Sequence, residues 1–468
     1  MSMAIALSHL GGRSIGVFGL ARSGLATVRA AQAGGAASVL VWDDRESARA
    51  QAQALGGAPA KPEDWPWDTL DSLILSPGVP LTHPKPHPIV GIARTAGVEI
   101  ICDVELLWRE AERQARFVAI TGTNGKSTTT ALIGHVLAAA GLPVSVGGNI
   151  GRAALDLEAL EEGRVYVLEM SSYQVDLTGR FRPDVAVWLN LTPDHLDRHG
   201  DMAGYASAKK RIFANMGEKD TAIVGVDEPE IDKIAEEIWA EGRTKLRTLS
   251  VAKHAESDLY VDPPEGRLFE DDELVASFAG LPTLRGAHNW QNAAAAWGAA
   301  RALGVDGDTI LAAMASFPGL AHRMEIVGRR GAVLFVNDSK ATNADAAAKA
   351  LATFEPIYWI AGGQAKAGGI EPLVEFFPRI AKAYLIGTAA DQFSHTLAGR
   401  VPQVIAGDLA TAIRMAADDA ALDRRAEPAV LLSPAGASFD QFADFEARGE
   451  AFRQSFHSLD QHALEAVA

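Results

Sequence analysis

At 468 residues the chain exceeds what one hydrophobic core comfortably holds, and its 48% hydrophobic and 22% charged residues are those of an ordinary globular protein. Lys plus Arg total 43 against 59 Asp plus Glu, a formal charge of -16 that excludes a broad basic surface for wrapping nucleic acid. A single cysteine, Cys102, excludes an intrachain disulfide and suits a reducing cytoplasm.

The N-terminal stretch lacks the early basic residues of a secretory signal, and its apolar run is broken by Ser8, His9, Gly11, Gly12 and Arg13. No later segment has the uninterrupted apolar length of roughly 20 residues that a membrane span needs, so a soluble cytoplasmic protein is expected. Short apolar runs then recur that end in polar or small residues, mostly Gly, Ser, Asp or Asn: SIGVFG (Ser14 to Gly19), SVLVWDD (Ser38 to Asp44), SLILSPG (Ser72 to Gly78), FVAITG (Phe117 to Gly122), VYVLEMSS (Val165 to Ser172) and VAVWLNLT (Val185 to Thr192). Ala-rich stretches of helical character separate them. This alternation predicts an α/β protein with buried parallel strands and crossover helices, and ligands then bind beyond the carboxyl ends of the strands. SIGVFGLARSG followed by VWDDR imitates a dinucleotide fold, but Gly16, Gly19 and Gly24 do not reproduce G-x-G-x-x-G.

Two segments interrupt the pattern. Pro80 to Pro88 is too proline-rich for a regular helix, and Pro318-Gly319 breaks a second helical region. New strand-like runs follow in VLFVND (Val333 to Asp338), IYWIAGG (Ile357 to Gly363), AYLIG (Ala383 to Gly387) and VLLSPA (Val430 to Ala435). Three domains are expected, at 1–100, 101–319 and 320–468.

The strand FVAITG runs into TNGKSTTT. Gly122 and Gly125 let the backbone turn its N–H groups inward, Lys126 adds a point charge, and Ser127-Thr128-Thr129 open a helix with its positive end toward the turn. This predicts an anion site at Gly122, Thr123, Asn124, Gly125, Lys126, Ser127, Thr128 and Thr129. It departs from the usual phosphate loop, because Ile120 stands where that loop has its first glycine. Ser127 occupies the place of the hydroxyl that meets a magnesium ion.

Glu169 and the cluster Asp194, His195, Asp197 and His199 end the next two strands and supply further candidate ligands. D-H-x-D-x-H is equally the kind of set a zinc or two-metal hydrolase uses. The lysine pair in YASAKKRIF (Tyr205 to Phe213) reads, on residues alone, as a solvated basic face.

Taken together, TGTNGKST, the strand-end glutamate, the D-H-x-D segment and the A-K-x-R-I stretch resemble, in this order, the Mur ligases of peptidoglycan synthesis and their folylpolyglutamate synthetase relatives. The resemblance covers essentially the whole chain. It implies an N-terminal Rossmann-like domain for a UDP substrate, a central P-loop ATPase domain with a mostly parallel sheet, and a C-terminal Rossmann-like domain for an amino acid. VNDSKATN (Val336 to Asn343), GGQAK (Gly362 to Lys366) and LLSPAGASFDQFADFEARG (Leu431 to Gly449) resemble the family's D-glutamate-adding branch, and the D-N-P-R motif of the diaminopimelate- or lysine-adding branch is not found there.

The resemblance implies ATP-dependent joining of D-glutamate to UDP-N-acetylmuramoyl-L-alanine, with two Mg2+ ions, by a cytoplasmic monomer. Ser127 and Glu169 would serve one ion; His195 and Lys209, the latter carrying a carbamate, would serve the other. Lys126, His195 and Lys209 are the implied catalytic residues. Asn289 and Asn292 of HNWQN, with Arg323, Asp338 and Lys340, would contact ATP; a helix N-cap is the plainer reading of either asparagine. Arg22, Ser23, Asp43, Arg45, Ser76, Gly78 and Asn149 would bind the UDP substrate, although Ala21 replaces a glycine usual in the family's diphosphate turn. Thr342, Lys366, Ser438, Phe439 and Phe445 would form the D-glutamate pocket, where core packing is the plainer reading of both phenylalanines. An L-glutamate-adding or folylpolyglutamate synthetase-like ligase, a nicotinamide-dependent dehydrogenase and a non-enzymatic nucleotide-binding module are the alternatives.

Overall fold

A computed structural model describes residues 5–252, 256–263, 265–366 and 368–465; the first four residues of the N-terminal run lie outside them. The chain divides into two compact units, one of Met1–Gly280 with Ala287–Ser316, the other of Leu281–Gly286 with Phe317–Ala468. No helix among the described residues is long and apolar enough to cross a membrane.

The first unit holds two sheets. Strands β1 (Ser14–Phe18), β2 (Ser38–Trp42), β3 (Ala58–Pro59), β4 (Ser72–Leu75) and β5 (Glu99–Ile101) pair in parallel in the order β3-β2-β1-β4-β5. Because the order reverses at β1, its carboxyl end and that of β4 flank a crevice. The second sheet comprises β6 (Arg116–Thr121), β7 (Val144–Gly148), β8 (Val165–Glu169), β9 (Val185–Trp188), β10 (Thr221–Gly225), β11 (Lys245–Ser250), β12 (Leu259–Asp262), β13 (Arg267–Glu270) and β14 (Glu273–Ser277), in the order β14-β13-β12-β11-β10-β9-β6-β8-β7. Here β6 is the reversal point, which puts the turn after Thr121 at the second crevice. The sequence pattern did not foretell β12 to β14. These pair antiparallel at the sheet's edge, and Leu274 on β14 stays exposed, so the continuous apolar signature of a buried parallel strand is missing.

The second unit is built on β15 (Glu325–Arg330), β16 (Val333–Asn337), β17 (Ile357–Gly362), β19 (Ile380–Ile386), β20 (Gln403–Gly407) and β21 (Ala429–Leu432), in the order β15-β16-β21-β17-β19-β20, with a small ribbon of β18 (Gln364–Ala365) and β22 (Gly436–Ala437). Both faces of this sheet are covered. Leu334, Val336, Trp359 and Leu431 pack to one side, and Phe335, Tyr358, Ile360 and Val430 to the other. That is why these strands read as unbroken apolar runs rather than as alternations.

The helix Asp103–Ala111 leaves β5 and is fastened by one carboxylate. Glu105, fully buried, accepts the backbone N–H groups of Gly179, Arg180 and Phe181 at 2.9 to 3.1 Å and the Arg109 Nε at 2.9 Å. Removing it leaves several buried donors without an acceptor. Glu105→Ala is therefore expected to destabilise the chain by about 3–5 kcal/mol in denaturant titration, and Glu105→Gln by less, since an amide oxygen still accepts; equal losses in the two variants would refute the clamp.

Candidate active site

β6 ends at Thr121, so Ile120 belongs to the strand and the turn begins only at Gly122. Gly125, at φ +82°, caps the helix Lys126–Ala139 without any side chain. A Cβ at Gly125 would lie 2.3 Å from the Asn292 Oδ1, so the close approach as well as the left-handed backbone demands glycine. The helix's first N–H groups consequently face the turn with no capping side chain over them, as an anion site requires. Around the turn, the Asn124 N–H donates to Asn190 Oδ1 at 2.8 Å, and Thr123 Oγ1 donates to the Thr192 carbonyl at 3.1 Å. Thr129 Oγ1 donates to Asn292 Oδ1 at 3.1 Å, and Asn292 Nδ2 donates to Asn289 Oδ1 at 3.1 Å. Both asparagines are thus buried on the helix Ala287–Ala302 against the phosphate loop, and neither serves as a helix cap.

Two lysines converge on one carbonyl. Lys126 Nζ donates to Gly122 O at 2.9 Å and Thr123 O at 2.8 Å, while Lys209 Nζ donates to the same Gly122 O at 2.9 Å and to Thr121 Oγ1 at 3.3 Å. Lys209 is only 1% exposed, and its amine lies over the Tyr205 ring, 4.6 Å from the centroid. Burial first and the Lys126 charge second hold its pKa well below the usual lysine value. Its neighbour Lys210 points to solvent and pairs with Glu237 at 2.5 Å. A helix turns about 100° per residue, so only one of two consecutive lysines can enter the site. The solvated-face reading holds for Lys210 and fails for Lys209.

Glu169 ends β8 in register with Ile120 of β6. Its Oε1 accepts the Asn149 Nδ2 at 2.7 Å, and its Oε2 is buried without a hydrogen-bond partner. A buried carboxylate oxygen left open at a strand end is what a hard cation would fill. His195 has left-handed backbone, φ +54°, with its side chain about half exposed and its Nε2 3.4 Å from Asp194 Oδ2. His199 is packed away between Tyr173 and Tyr205, and its Nε2 meets Ser172 Oγ at 2.9 Å. Burial first, then the nearby cations Lys209, His195, Arg198 and His83, push the His199 pKa down to about 4. Among the described residues no group of three or more His, Cys, Asp or Glu side chains is arranged to hold a metal, so the D-H-x-D-x-H spacing does not assemble the hydrolase-type cluster.

At the first crevice, Gly19 holds φ +89° with Ser76 so close that a Cβ would stand 2.5 Å from that of Ser76. Ala21 takes an ordinary extended backbone, φ -77° and ψ -164°. The missing glycine is therefore tolerated without strain. Ser23 lies in the first turn of the helix Arg22–Ala33, and Arg22 donates to the Gly151 carbonyl, two residues beyond Asn149. Asp43 accepts the Leu20 N–H at 2.7 Å and the Arg45 N–H at 3.0 Å. Partial burial raises the Asp43 pKa, but hydrogen bonds from Arg45 and Leu20 outweigh it, and the net shift is downward.

In the second unit, Asp338 is buried, accepting Ser433 Oγ at 2.7 Å and the Met324 N–H at 3.1 Å. Burial raises its pKa to about 7. Lys340 Nζ lies 3.8 Å from the Phe445 ring centroid, and the Thr342 N–H donates to the Lys340 carbonyl at 2.8 Å. Arg323 sits in the turn before β15, with its N–H to Leu320 O at 3.3 Å. Lys366 is exposed beside β18, and Ser438 is buried. Phe439 is 68% exposed and Phe445 half-buried, so neither is the core aromatic that composition alone favours. Sequence reasoning missed Arg448. Fully buried, it donates to Ser339 O at 2.9 Å, Ser339 Oγ at 3.0 Å and Gly436 O at 3.0 Å; no local pattern flags an arginine two of whose three acceptors lie 109 residues away.

Residues 120–300 match the Mur ligase middle domain and residues 322–436 the Mur ligase glutamate ligase domain. UDP-N-acetylmuramoylalanine--D-glutamate ligase of Caulobacter vibrioides is 53% identical over 456 residues, covering 96% of each chain. The like-named ligase of Phenylobacterium zucineum is 51% identical over 472 residues, covering 99% of this chain and all of its own. Among solved structures, the MurF ligase from Thermotoga maritima in complex with ADP superposes with a TM-score of 0.54 at 16% identity, covering 98% of both chains. Such low identity speaks for the fold alone, but identity above one half along nearly the whole of two chains, joined to the short phosphate loop and its two converging lysines, makes this protein a member of the Mur ligase family.

Proposed function

We propose that the chain joins D-glutamate to the L-alanine carboxyl of UDP-N-acetylmuramoyl-L-alanine at the expense of ATP, in peptidoglycan precursor synthesis. The observation that carries the reading is the meeting of Lys126 and the buried, low-pKa Lys209 on Gly122, at the strand edge where Glu169 keeps an open oxygen. The substrate carboxylate attacks the γ-phosphorus, the bond to the β-phosphate oxygen breaks, and an acyl phosphate and ADP result. The D-glutamate amine then attacks the acyl carbon, loses a proton, and inorganic phosphate leaves. The first step brings two anions together, and Lys126 offsets that repulsion.

Ser127 and the open Glu169 Oε2 suit one magnesium ion, and His195 with Lys209 suits a second. Bound there, the ions neutralise phosphate charge as Lewis acids. As an ammonium, Lys209 would repel a metal. Its depressed pKa supports a neutral amine that adds to CO2 and loses a proton, giving a carbamate that presents anionic oxygen instead. Gly122 to Thr129, Asn289, Asn292, Arg323, Asp338 and Lys340 are assigned to ATP. Arg22, Ser23, Asp43, Arg45, Ser76, Gly78 and Asn149 are assigned to the UDP substrate, and Thr342, Lys366, Ser438, Phe439 and Phe445 to D-glutamate. A cytoplasmic monomer is the form this reading takes.

Phosphate release from ATP, measured with UDP-N-acetylmuramoyl-L-alanine and D-glutamate, L-glutamate, lysine or diaminopimelate in turn, tests the assignment. Release is expected only with D-glutamate; indifference to it would end this reading.

A further inference from the structure

Arg198 joins two segments that the proposed reaction uses for different ends. Its Nη1 donates to the Gly78 carbonyl at 3.0 Å and its Nη2 to the Pro77 carbonyl at 3.4 Å, in the turn beyond β4 assigned to the UDP substrate. Its guanidinium lies over the Tyr173 ring, 4.5 Å from the centroid. Tyr173 in turn contacts the His195 ring, with centroids 5.1 Å apart, and stacks on His199 at 5.4 Å. The helix Ser172–Asp176 that carries Tyr173 begins three residues after Glu169. One half-buried arginine is thus gripped by the substrate turn on one side and, through Tyr173, by the surroundings of the proposed metal ligand His195 on the other.

The contacts are not those of an ordinary surface ion pair. Among the described residues Arg198 pairs with no carboxylate, and its Nε is buried without a partner. Its charge is spent on two backbone carbonyls, whose positions depend on the turn they belong to. Pro77, Val79, Tyr173, Asp176, Arg198 and His199 line one small pocket, so the substrate turn and the residues around His195 meet at this joint.

We propose that Arg198 is a positioning residue that couples occupancy of the Ser76–Gly78 turn to the placement of His195, so that nucleotide binds most tightly once the UDP-linked substrate is seated. The proposal rests on the site assignments made under Proposed function. By reciprocity, the nucleotide tightens the UDP substrate by the same factor.

Titrating a non-hydrolysable ATP analogue with Mg2+ into the full chain, with and without UDP-N-acetylmuramoyl-L-alanine, tests it. The UDP substrate is expected to tighten analogue binding about tenfold in the parent protein and less than about twofold in Arg198→Ala. Arg198→Lys should fall between, because an ammonium reaches one carbonyl but cannot fork across two and stack. Tyr173→Leu, which removes the platform, should also lower the factor. A merely structural role would lower the active fraction and leave the factor unchanged. An unchanged factor in Arg198→Lys and Arg198→Ala, or a parent without coupling, overturns the proposal; thermal unfolding of Arg198→Lys confirms that folded protein is being compared. A parent that binds no UDP substrate at all removes the functional reading itself, and the coupling with it.

Discussion

Lys209→Ala is expected to lower kcat by about a thousandfold or more, with the UDP substrate still bound. The amine is 1% exposed, meets Gly122 O and Thr121 Oγ1, and sits beside the Lys126 charge. Lys209→Arg should be as inactive, because a guanidinium keeps the positive charge and cannot take up CO2. Loss of fold is separable by a sign argument. A lysine whose folded pKa is depressed binds fewer protons in the native state than in the unfolded one below the ordinary lysine value, so its contribution to stability falls as pH falls. Lys209→Met, apolar and of similar volume, is thus expected to unfold at pH 7 no lower in temperature than a parent freed of CO2, while remaining inactive. Partial restoration of Lys209→Ala by a short carboxylic acid would identify the missing group as an anionic oxygen. Turnover within about tenfold of the parent would rule Lys209 out as a ligand of the proposed metal site.

Lys126→Ala should cost at least about a hundredfold in kcat, with a smaller loss of nucleotide affinity. At present the amine rests on the carbonyls of Gly122 and Thr123, 2.9 and 2.8 Å away. In the proposed reaction it would turn to the phosphate oxygens, over which the charge of the transferring phosphoryl group is spread. Single-turnover measurement separates the two losses. A loss of affinity with kcat unchanged would make Lys126 a nucleotide anchor only. Removing its charge also relieves one of the two causes that depress Lys209, so the two substitutions should not add independently.

Much of this site was legible along the chain because its parts are local. The phosphate loop is one continuous stretch, Glu169 closes an apolar run, and Asn289 and Asn292 share one face of a helix at a spacing of three. Resemblance chose Lys209 over Lys210, and helix geometry supplies the reason. Residues whose partners are remote stayed silent: Glu105 meets Gly179 across 74 residues, Arg198 meets Gly78 across 120, and Arg448 meets Ser339 across 109. A buried ionised side chain looks the same in sequence as an exposed one; only the fold reveals that it has been desolvated and what compensates it.

Read along the chain, the residues specify the alternation of buried strands and helices, the strand-end placement of the glycine- and carboxylate-bearing turns, and Ile120 as part of β6. These follow from short-range sterics and from hydrophobic periodicity, which neighbouring residues settle among themselves. Only the fold decides which lysine is buried with a depressed pKa, which carboxylate oxygen is left open and which histidine is packed away. Each depends on burial and on charges brought near by distant segments, and the energy of a charge is set by its surroundings rather than by its neighbours in the chain.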